Sequence, residues 1–555
     1  MQPPTSSLRG SFQQLVVNHQ VQNPGANRCY GRNTPRRQQP QVSTWNPHPP
    51  APHPNWALNA VRADQATETV DATTIKLISD ISAQVDKLHE ATLQKNASDA
   101  SASYFQSPDS FLGRKVRASI TDLQSGLLER ETEVRLLILA ALCGEHLLLL
   151  GPPGTAKSEL SRRIAGLIGG KYFERLLTRF SVPEELFGPL SMRGLENDEY
   201  VRQIAGYLPT AEVAFIDEIF KANSAILNAL LTLLNERLFD NGNARFEVPL
   251  LCLVGASNEL PESEELDALY DRFLFRRQVA QVSASQLATL AKLAAGAIPA
   301  TNGSSGSTNA AQEEELTMDD FRATSSAAMS NVEVPDDVVD ILTGVRNWLQ
   351  DKCEPPVYVS DRRFMKAVRM LQVAAYADGR ESVNEYDCLL LEFVLGQRPD
   401  DAQKVKTFVL EIIASDPGLQ QTELVFLGLF GRACRLLEEK NSSGGEMEEA
   451  KAEAQSLVEL LELRQAGLAS TLGDGSGIGG FPEMRTTAWQ SESAVQAAVQ
   501  SLMPQMTENK KRVEDLLKEA LTLKEAMDRG VAAGVLERLL PKRYKQYQKG
   551  VTGKV

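Results

Sequence analysis

The run Leu147-Leu148-Leu149-Leu150-Gly151-Pro152-Pro153-Gly154-Thr155-Ala156-Lys157-Ser158 decides the fold class. Four consecutive leucines predict a strand buried on both faces, as in a parallel sheet flanked by helices. The glycines after it let the backbone turn its N–H groups inward around an anion, and a helix opening at Lys157 adds its positive end. In such a loop Lys157 reaches the β- and γ-phosphates of a nucleoside triphosphate, and the Ser158 hydroxyl holds Mg²⁺. Ala156 stands where the pattern has glycine, so one methyl limits how closely a phosphate approaches there.

Working outward, Val213-Ala214-Phe215-Ile216 reads as a second buried strand that delivers Asp217 and Glu218 at its C-terminal edge. Open α/β sheets bind their ligands at that edge. Asp217 is placed to hold Mg²⁺ through its water shell, and Glu218 to take the proton from the attacking water. A third apolar run, Leu250 to Val254, ends in Gly255-Ala256-Ser257-Asn258-Glu259, where Asn258 can hydrogen-bond that water or the γ-phosphate. Next, Leu269-Tyr270-Asp271-Arg272-Phe273 carries a cation at a helix end. A ring ATPase needs such a residue if each subunit inserts an arginine into its neighbour's site, a finger that contributes on the order of 10³ to 10⁵ in rate. Each feature alone has an ordinary reading: a strand entering a polar loop, a turn asparagine, a surface arginine paired with Asp271.

Together with Phe187-Gly188-Pro189-Leu190-Ser191, Gly206-Tyr207-Leu208-Pro209 and Ser257-Asn258-Glu259-Leu260-Pro261, these motifs resemble the MoxR family of AAA+ ATPases, and within it the RavA branch. The similarity runs from about residue 112 to 400. It implies a five-stranded parallel sheet, a helical lid, and a hexameric ring with ATP and Mg²⁺ at the subunit interfaces. Residues Gly151 to Ser158 become the phosphate loop, Asp217 and Glu218 the second nucleotide motif, Asn258 the first sensor and Arg272 the arginine finger. In Val359-Ser360-Asp361-Arg362-Arg363-Phe364 the resemblance implies a second sensor, for which Arg362 is preferred and Arg363 is the alternative. Phe187 to Tyr207 corresponds to the family's insertion in helix 2. Phe239 to Val248, turning at Asn241-Gly242-Asn243, corresponds to its hairpin before the first sensor, and Asn-Gly is itself a hairpin signal.

Length and charge set outer limits. The 555 residues suffice for about three domains. A formal charge of −14 argues against a large nucleic-acid footprint, which needs a basic face. The best membrane-span candidate, Leu136 to Leu150, is broken by Glu145 and His146, so no transmembrane segment is expected. Cys29, Cys143, Cys252, Cys353, Cys388 and Cys434 show neither zinc spacing nor a disulfide framework. Residues 1–63 contain six arginines and no Asp or Glu, the composition of an organellar transit peptide. The Pro-rich stretch Pro47 to Pro54 favours the chloroplast stroma over the mitochondrion, with a cytoplasmic protein bearing an untargeted tail as the alternative.

The remainder reads as helix: Thr73 to Leu93 within the segment 64–111, Arg114 to Cys143 leading into an α/β core at 112–298, and a lid at 317–400. The Gly/Ser-rich segment 299–316 is expected to be a flexible insertion. Gln403 to Lys440, Glu446 to Ala469 and Ser491 to Arg529 make 401–555 an all-α extension, with a glycine-rich linker near 473–480. That linker matches G-x-G-x-x-G at Gly475 to Gly480 without the strand-turn-helix setting of a dinucleotide site. Arg538 to Lys549 is expected to be a solvated tail. The function expected is ATP hydrolysis coupled to remodelling of a protein client, with a von Willebrand factor A-domain protein as a family-implied partner. A magnesium-chelatase-like motor and a slow nucleotide-gated scaffold are the alternatives.

Overall fold

A computed structural model describes residues 72–102, 110–261, 263–295, 315–438, 444–473 and 480–552. The leader at 1–63, nearly all of the 299–316 segment and Gly475 to Gly479 lie outside them. Strand β1 (Leu147–Leu150) lies between β6 (Cys252–Ser257) and β7 (Phe275–Gln278), with Leu147 opposite Val254 on one side and Phe275 on the other. β3 (Val213–Asp217) pairs with β6, and β2 (Tyr172–Leu176) pairs with β3. The expected five-stranded parallel sheet results, in the order β2-β3-β6-β1-β7.

Alternation along the strands divides the interior between the two faces of the sheet. Leu147, Leu149, Val213, Phe215, Cys252 and Val254 point to a core shared with α3 (Glu131–Cys143) and α4 (Lys157–Ile168). Leu148, Leu150, Ala214, Ile216 and Leu253 point the other way, onto α7 (Ser224–Glu236) and α8 (Glu264–Tyr270). α2 (Phe111–Gln124) precedes α3, so the helical lead-in is two helices, separated by a turn in which Gly126 takes φ 72°.

Two excursions lie in the connections between the sheet strands. Between β2 and β3 the chain forms α5 (Glu184–Phe187) and α6 (Met192–Glu196), and β4 (Leu238–Asn241) with β5 (Ala244–Glu247) forms the expected hairpin, turning at Gly242 with φ 63°. Asn241 fastens the two together from a buried position. Its side-chain oxygen accepts from the Arg202 N–H at 2.6 Å and its amide donates to the Arg202 carbonyl at 3.0 Å. Phe187 also stacks on Phe239, with centroids 5.4 Å apart.

Beyond the sheet come α9 (Leu287–Ala294) and the lid helices α10 (Met318–Asn331), α11 (Asp336–Asp351) and α12 (Asp361–Ala377), then a 3₁₀ run at Glu385–Phe393. Thr317 starts α10 with a reciprocal capping box to Asp320, and Ser360 caps α12. The extension comprises α13 (Pro399–Ser415), α14 (Pro417–Glu438), α15 (Gly444–Leu472), α16 (Pro482–Thr486), α17 (Glu492–Asp528), α18 (Ala533–Leu539) and α19 (Pro541–Thr552). It does not stand apart from the lid. Val495, Val499 and Leu502 in the first half of α17 join the core of the lid and α3, as do Val405 and Val409 of α13. In the second half, Val513, Leu517 and Met527 pack with α14 and α15. Ile81 and Val85 of α1 (Ala72–Ala102) lie in that same bundle, so the N-terminal helix packs on the extension.

The expected solvated tail is instead α19, packed on this bundle. Tyr544 and Tyr547, three residues apart, share one helical face. The Tyr547 ring meets Phe430 edge-on at 6.4 Å, and Arg543 pairs with Glu519 at 2.7 Å while lying over Phe426.

His146 precedes β1 in full burial, where Nδ1 accepts from the Leu253 N–H at 3.1 Å and Nε2 faces the Leu234 carbonyl at 3.3 Å. Burial, and then the neighbouring Arg237 and Lys366, hold its imidazole well below the ordinary range. The folded state therefore keeps the ring neutral while the unfolded chain binds a proton below about pH 6.5, so this contribution to stability is lost as pH falls below that value. The thermal midpoint should drop between pH 7.5 and 5, with a shallower slope in His146→Asn; identical slopes would exclude His146 as a source. Asn241→Ala leaves the Arg202 peptide groups without partners and should destabilise by about 1–3 kcal/mol in urea unfolding.

Candidate functional site

The loop after β1 is shaped by residues in unusual backbone regions. Gly151 takes φ 152° and Gly154 φ 79°, and a Cβ at Gly151 would collide with the Val279 carbonyl. Ala156 adopts φ 65° and ψ 21°, the left-handed conformation that glycine takes at little expense and alanine at about 1–2 kcal/mol. The departure from the glycine pattern thus changes the side chain and not the path of the backbone. Ladder bonds continue past the strand to hold the loop: Gly151 N–H donates to the Ser257 carbonyl at 3.0 Å and Val279 N–H to the Leu150 carbonyl at 2.7 Å.

Lys157 opens α4 and donates to the carbonyls of Gly151 at 2.8 Å and Pro152 at 2.9 Å, so its ammonium lies across the loop. Burial lowers its pKa, and Asp217 and Glu218 work in the opposite direction. The two carboxylates act on the same ammonium, so the strand that carries them and the phosphate loop form one electrostatic unit. Asp217 ends β3 and accepts from the Glu218 N–H at 3.0 Å. Glu218 sits in the left-handed region at φ 53°, an uncommon conformation for a non-glycine residue and one that clusters at functional sites. Its carboxylate accepts from the Asn258 amide at 2.9 Å and lies 3.4 Å from the Lys221 ammonium. Lys157, Asp217, Glu218 and Asn258 are therefore brought together by the ends of β1, β3 and β6, with Ser158 one residue along from Lys157.

Arg130 belongs to this assembly and went unread in the sequence. From just before α3 its guanidinium donates to the Thr155 carbonyl at 3.1 Å and the Ala280 carbonyl at 2.8 Å, tying the phosphate loop to the segment after β7. No local pattern marks it, because both partners are backbone groups distant in sequence.

Arg272 and Arg362 form a second cluster. Among the described residues, no hydrogen bond or ion pair joins either to Lys157, Asp217, Glu218 or Asn258. Arg272 lies 3.6 Å from Asp271, and its buried Nε has no hydrogen-bond partner among the described residues. Burial lowers its pKa, and the like charge of Arg362 lowers it further. Arg362 donates to Asn235 at 2.5 Å from a partly exposed position. Arg363 is 4% exposed and donates to the carbonyls of Val394 at 2.6 Å and Phe273 at 3.0 Å, with Asp271 as its counter-ion at 3.2 Å. The adjacent arginines thus divide the work: Arg363 joins lid to core, and Arg362 faces outward beside Arg272.

Backbone donors, a lysine and two strand-end carboxylates suit a magnesium–triphosphate complex: Gly151 to Ser158 would surround the phosphates, and Ser158 with Asp217 would hold the metal. Among the described residues, no cluster of three or more His, Cys, Asp and Glu has metal-site geometry, and no helix is long and apolar enough to cross a membrane.

Residues 114–320 match the family described as the MoxR domain in the MoxR-vWA-beta-propeller ternary systems, and residues 337–409 match an AAA lid domain. An uncharacterized protein of Methanocaldococcus jannaschii is 42% identical over 308 residues, covering 55% of this chain and 78% of its own. A second from the same organism is 41% identical over 293 residues, covering 52% and 72%. Chaperone MoxR1 of Mycobacterium tuberculosis is 27% identical over 165 residues, covering 29% of this chain and 43% of its own.

Lys157→Ala removes a charge-assisted contact of about 1.5–3 kcal/mol, so ATP affinity should fall roughly ten- to hundredfold by fluorescent-nucleotide titration. Unchanged affinity would remove the loop from the site.

Proposed function

We propose, since this chain belongs to the MoxR family of AAA+ ATPases, that it hydrolyses ATP in a ring of identical subunits and uses the turnover to remodel a protein client. The observation that carries this reading is the separation of two half-sites on one chain. Lys157, Asp217, Glu218 and Asn258 make up one, and Arg272 with Arg362 makes up the other, a paired cation face suited to a phosphate held by a neighbouring subunit. Glu218, held by Asn258, orients and deprotonates the attacking water, while Lys157 stabilises the charge developing on the phosphoryl oxygens. Ser158 and Asp217 would hold Mg²⁺, which would supply charge neutralisation to the bound triphosphate. Arg272 and Arg362 complete the site from the adjoining copy, with Arg362 acting as the second sensor.

A six-membered ring, placement in the RavA branch and a von Willebrand factor A-domain partner belong to the same proposal. The partner is supported by the description of the matching family, and the branch by the motifs from Phe187 to Pro261. A chloroplast location rests on the acid-free, arginine-bearing composition of residues 1–63.

Glu218→Gln should keep ATP binding and lose on the order of 10²- to 10⁴-fold in steady-state turnover, as expected for loss of a general base. Equally slow turnover by wild type and variant would make the protein a nucleotide-gated scaffold instead. Lys157→Ala and Arg272→Ala subunits, each inactive alone, should regain hydrolysis when mixed, because some interfaces then combine two intact halves. No recovery would show that the halves do not meet between subunits.

A further inference from the structure

A cavity of about 300 Å³ lies away from the nucleotide loop, where core, lid and extension meet, lined by Arg277, Glu392, Lys406, Trp489, Ser491 and Ser493 among others. Its size is at the lower end for small-molecule sites. The walls come from five parts of the chain: the first turn of α3, β7, the 3₁₀ run at Glu385–Phe393, α13, and the opening turn of α17 with the residues just before it.

The charges converge in a particular way. Arg277 projects from β7, donates through Nε to the deeply buried Glu133 at 3.0 Å, and lies over the Phe393 ring at 5.6 Å. Lys406 stands 3.6 Å from Glu392, both largely shielded from solvent. Burial pushes the Glu392 carboxyl above its usual range against the pull of Lys406 and Arg277. On another wall α17 begins, a helix of 37 residues whose N-cap Ser491 accepts from the Ala494 N–H at 3.3 Å and whose Ser491 and Ser493 hydroxyls are 3.1 Å apart. Two cations, hydroxyl donors and the positive end of a long helix therefore face one small space that holds a single lining carboxylate.

We propose that this cavity is a binding site for a small organic anion bearing a carboxylate or phosphate group, with Arg277, Lys406 and the Ser491–Ser493 turn as its receptors. The volume admits a compact metabolite-sized anion. The site is short-coupled to the nucleotide loop by two routes. Arg277 is the β7 partner of Leu149 in β1, and Thr132, on the cavity wall, is two residues from Arg130, which holds the Thr155 carbonyl. Lys406 and Ser493 lie on helices whose apolar faces join the lid core, so one bound anion would bridge core, lid and extension.

The test is calorimetric titration of the full-length chain with inorganic phosphate, glycerol 3-phosphate and succinate, which separates phosphate from carboxylate preference. The titrations are run in wild type and in Lys157→Ala, so that phosphate binding at the nucleotide loop is not counted. Saturable binding of at least one probe is expected in both, weakened tenfold or more by Ser493→Glu and by Lys406→Met. Ser493→Glu places a carboxylate in the first turn of α17, where it favours the helix, so a thermal midpoint at or above wild type will show that the fold is kept. Absence of saturable binding by all three probes, or affinity unchanged in both cavity variants, would overturn the assignment. So would binding lost in Lys157→Ala alone.

Discussion

The parallel pairing of β1 with β6 and β7 is the constraint on which the rest depends. The phosphate loop is closed from within by Lys157, which donates to the Gly151 and Pro152 carbonyls, but its place in the fold is set from outside. It is held because ladder bonds run past the strand at both edges, from Gly151 to Ser257 and from Val279 to Leu150. The same pairing brings the ends of β1 and β6 side by side, and β3 follows through β6. Asn258 and Glu218 can then meet within hydrogen-bond distance although 40 residues separate them. A slip of one residue in any of these strands would exchange its two sets of apolar residues between the faces of the sheet and misplace the polar residues at its end.

Electrostatics divides the arginines by burial. Arg363 lies inside the core–lid joint, where several backbone carbonyls and Asp271 compensate its desolvation. Removing such a charge's partners is costly, so the joint holds the lid in one orientation. Arg272 and Arg362 are set close together with less compensation, and the charge of one lowers the pKa of the other. Two like charges held together are an unfavourable pair in an isolated chain and a favourable receptor for a polyanion.

The extension is continuous with the ATPase unit because α17 belongs to two cores at once. Its first half packs with the lid and its second half with α1, α14 and α15. Asn509, buried near the change-over, donates to the Ala414 carbonyl at the end of α13. The lid core and the bundle are therefore joined through one continuous helix of 37 residues, which passes Pro504 on the way.

The sequence by itself determined the central strands, the phosphate loop, Asp217, Glu218 and Asn258, because continuous apolar runs and their terminal polar residues are local patterns. The edge strands escaped: β2 carries Glu174 and Arg175, and β7 carries Arg276 and Arg277, since an edge admits polar side chains that break an apolar run. The hairpin was legible from Asn241-Gly242, but its clamp on Arg202 was not. Only the tertiary structure decided which of Arg362 and Arg363 is buried, that Arg130 grips the phosphate loop, and that the aromatic-basic tail packs as α19. Each of those outcomes depends on partners tens to hundreds of residues away, and a chain's local periodicity carries no record of which distant backbone groups will need a donor.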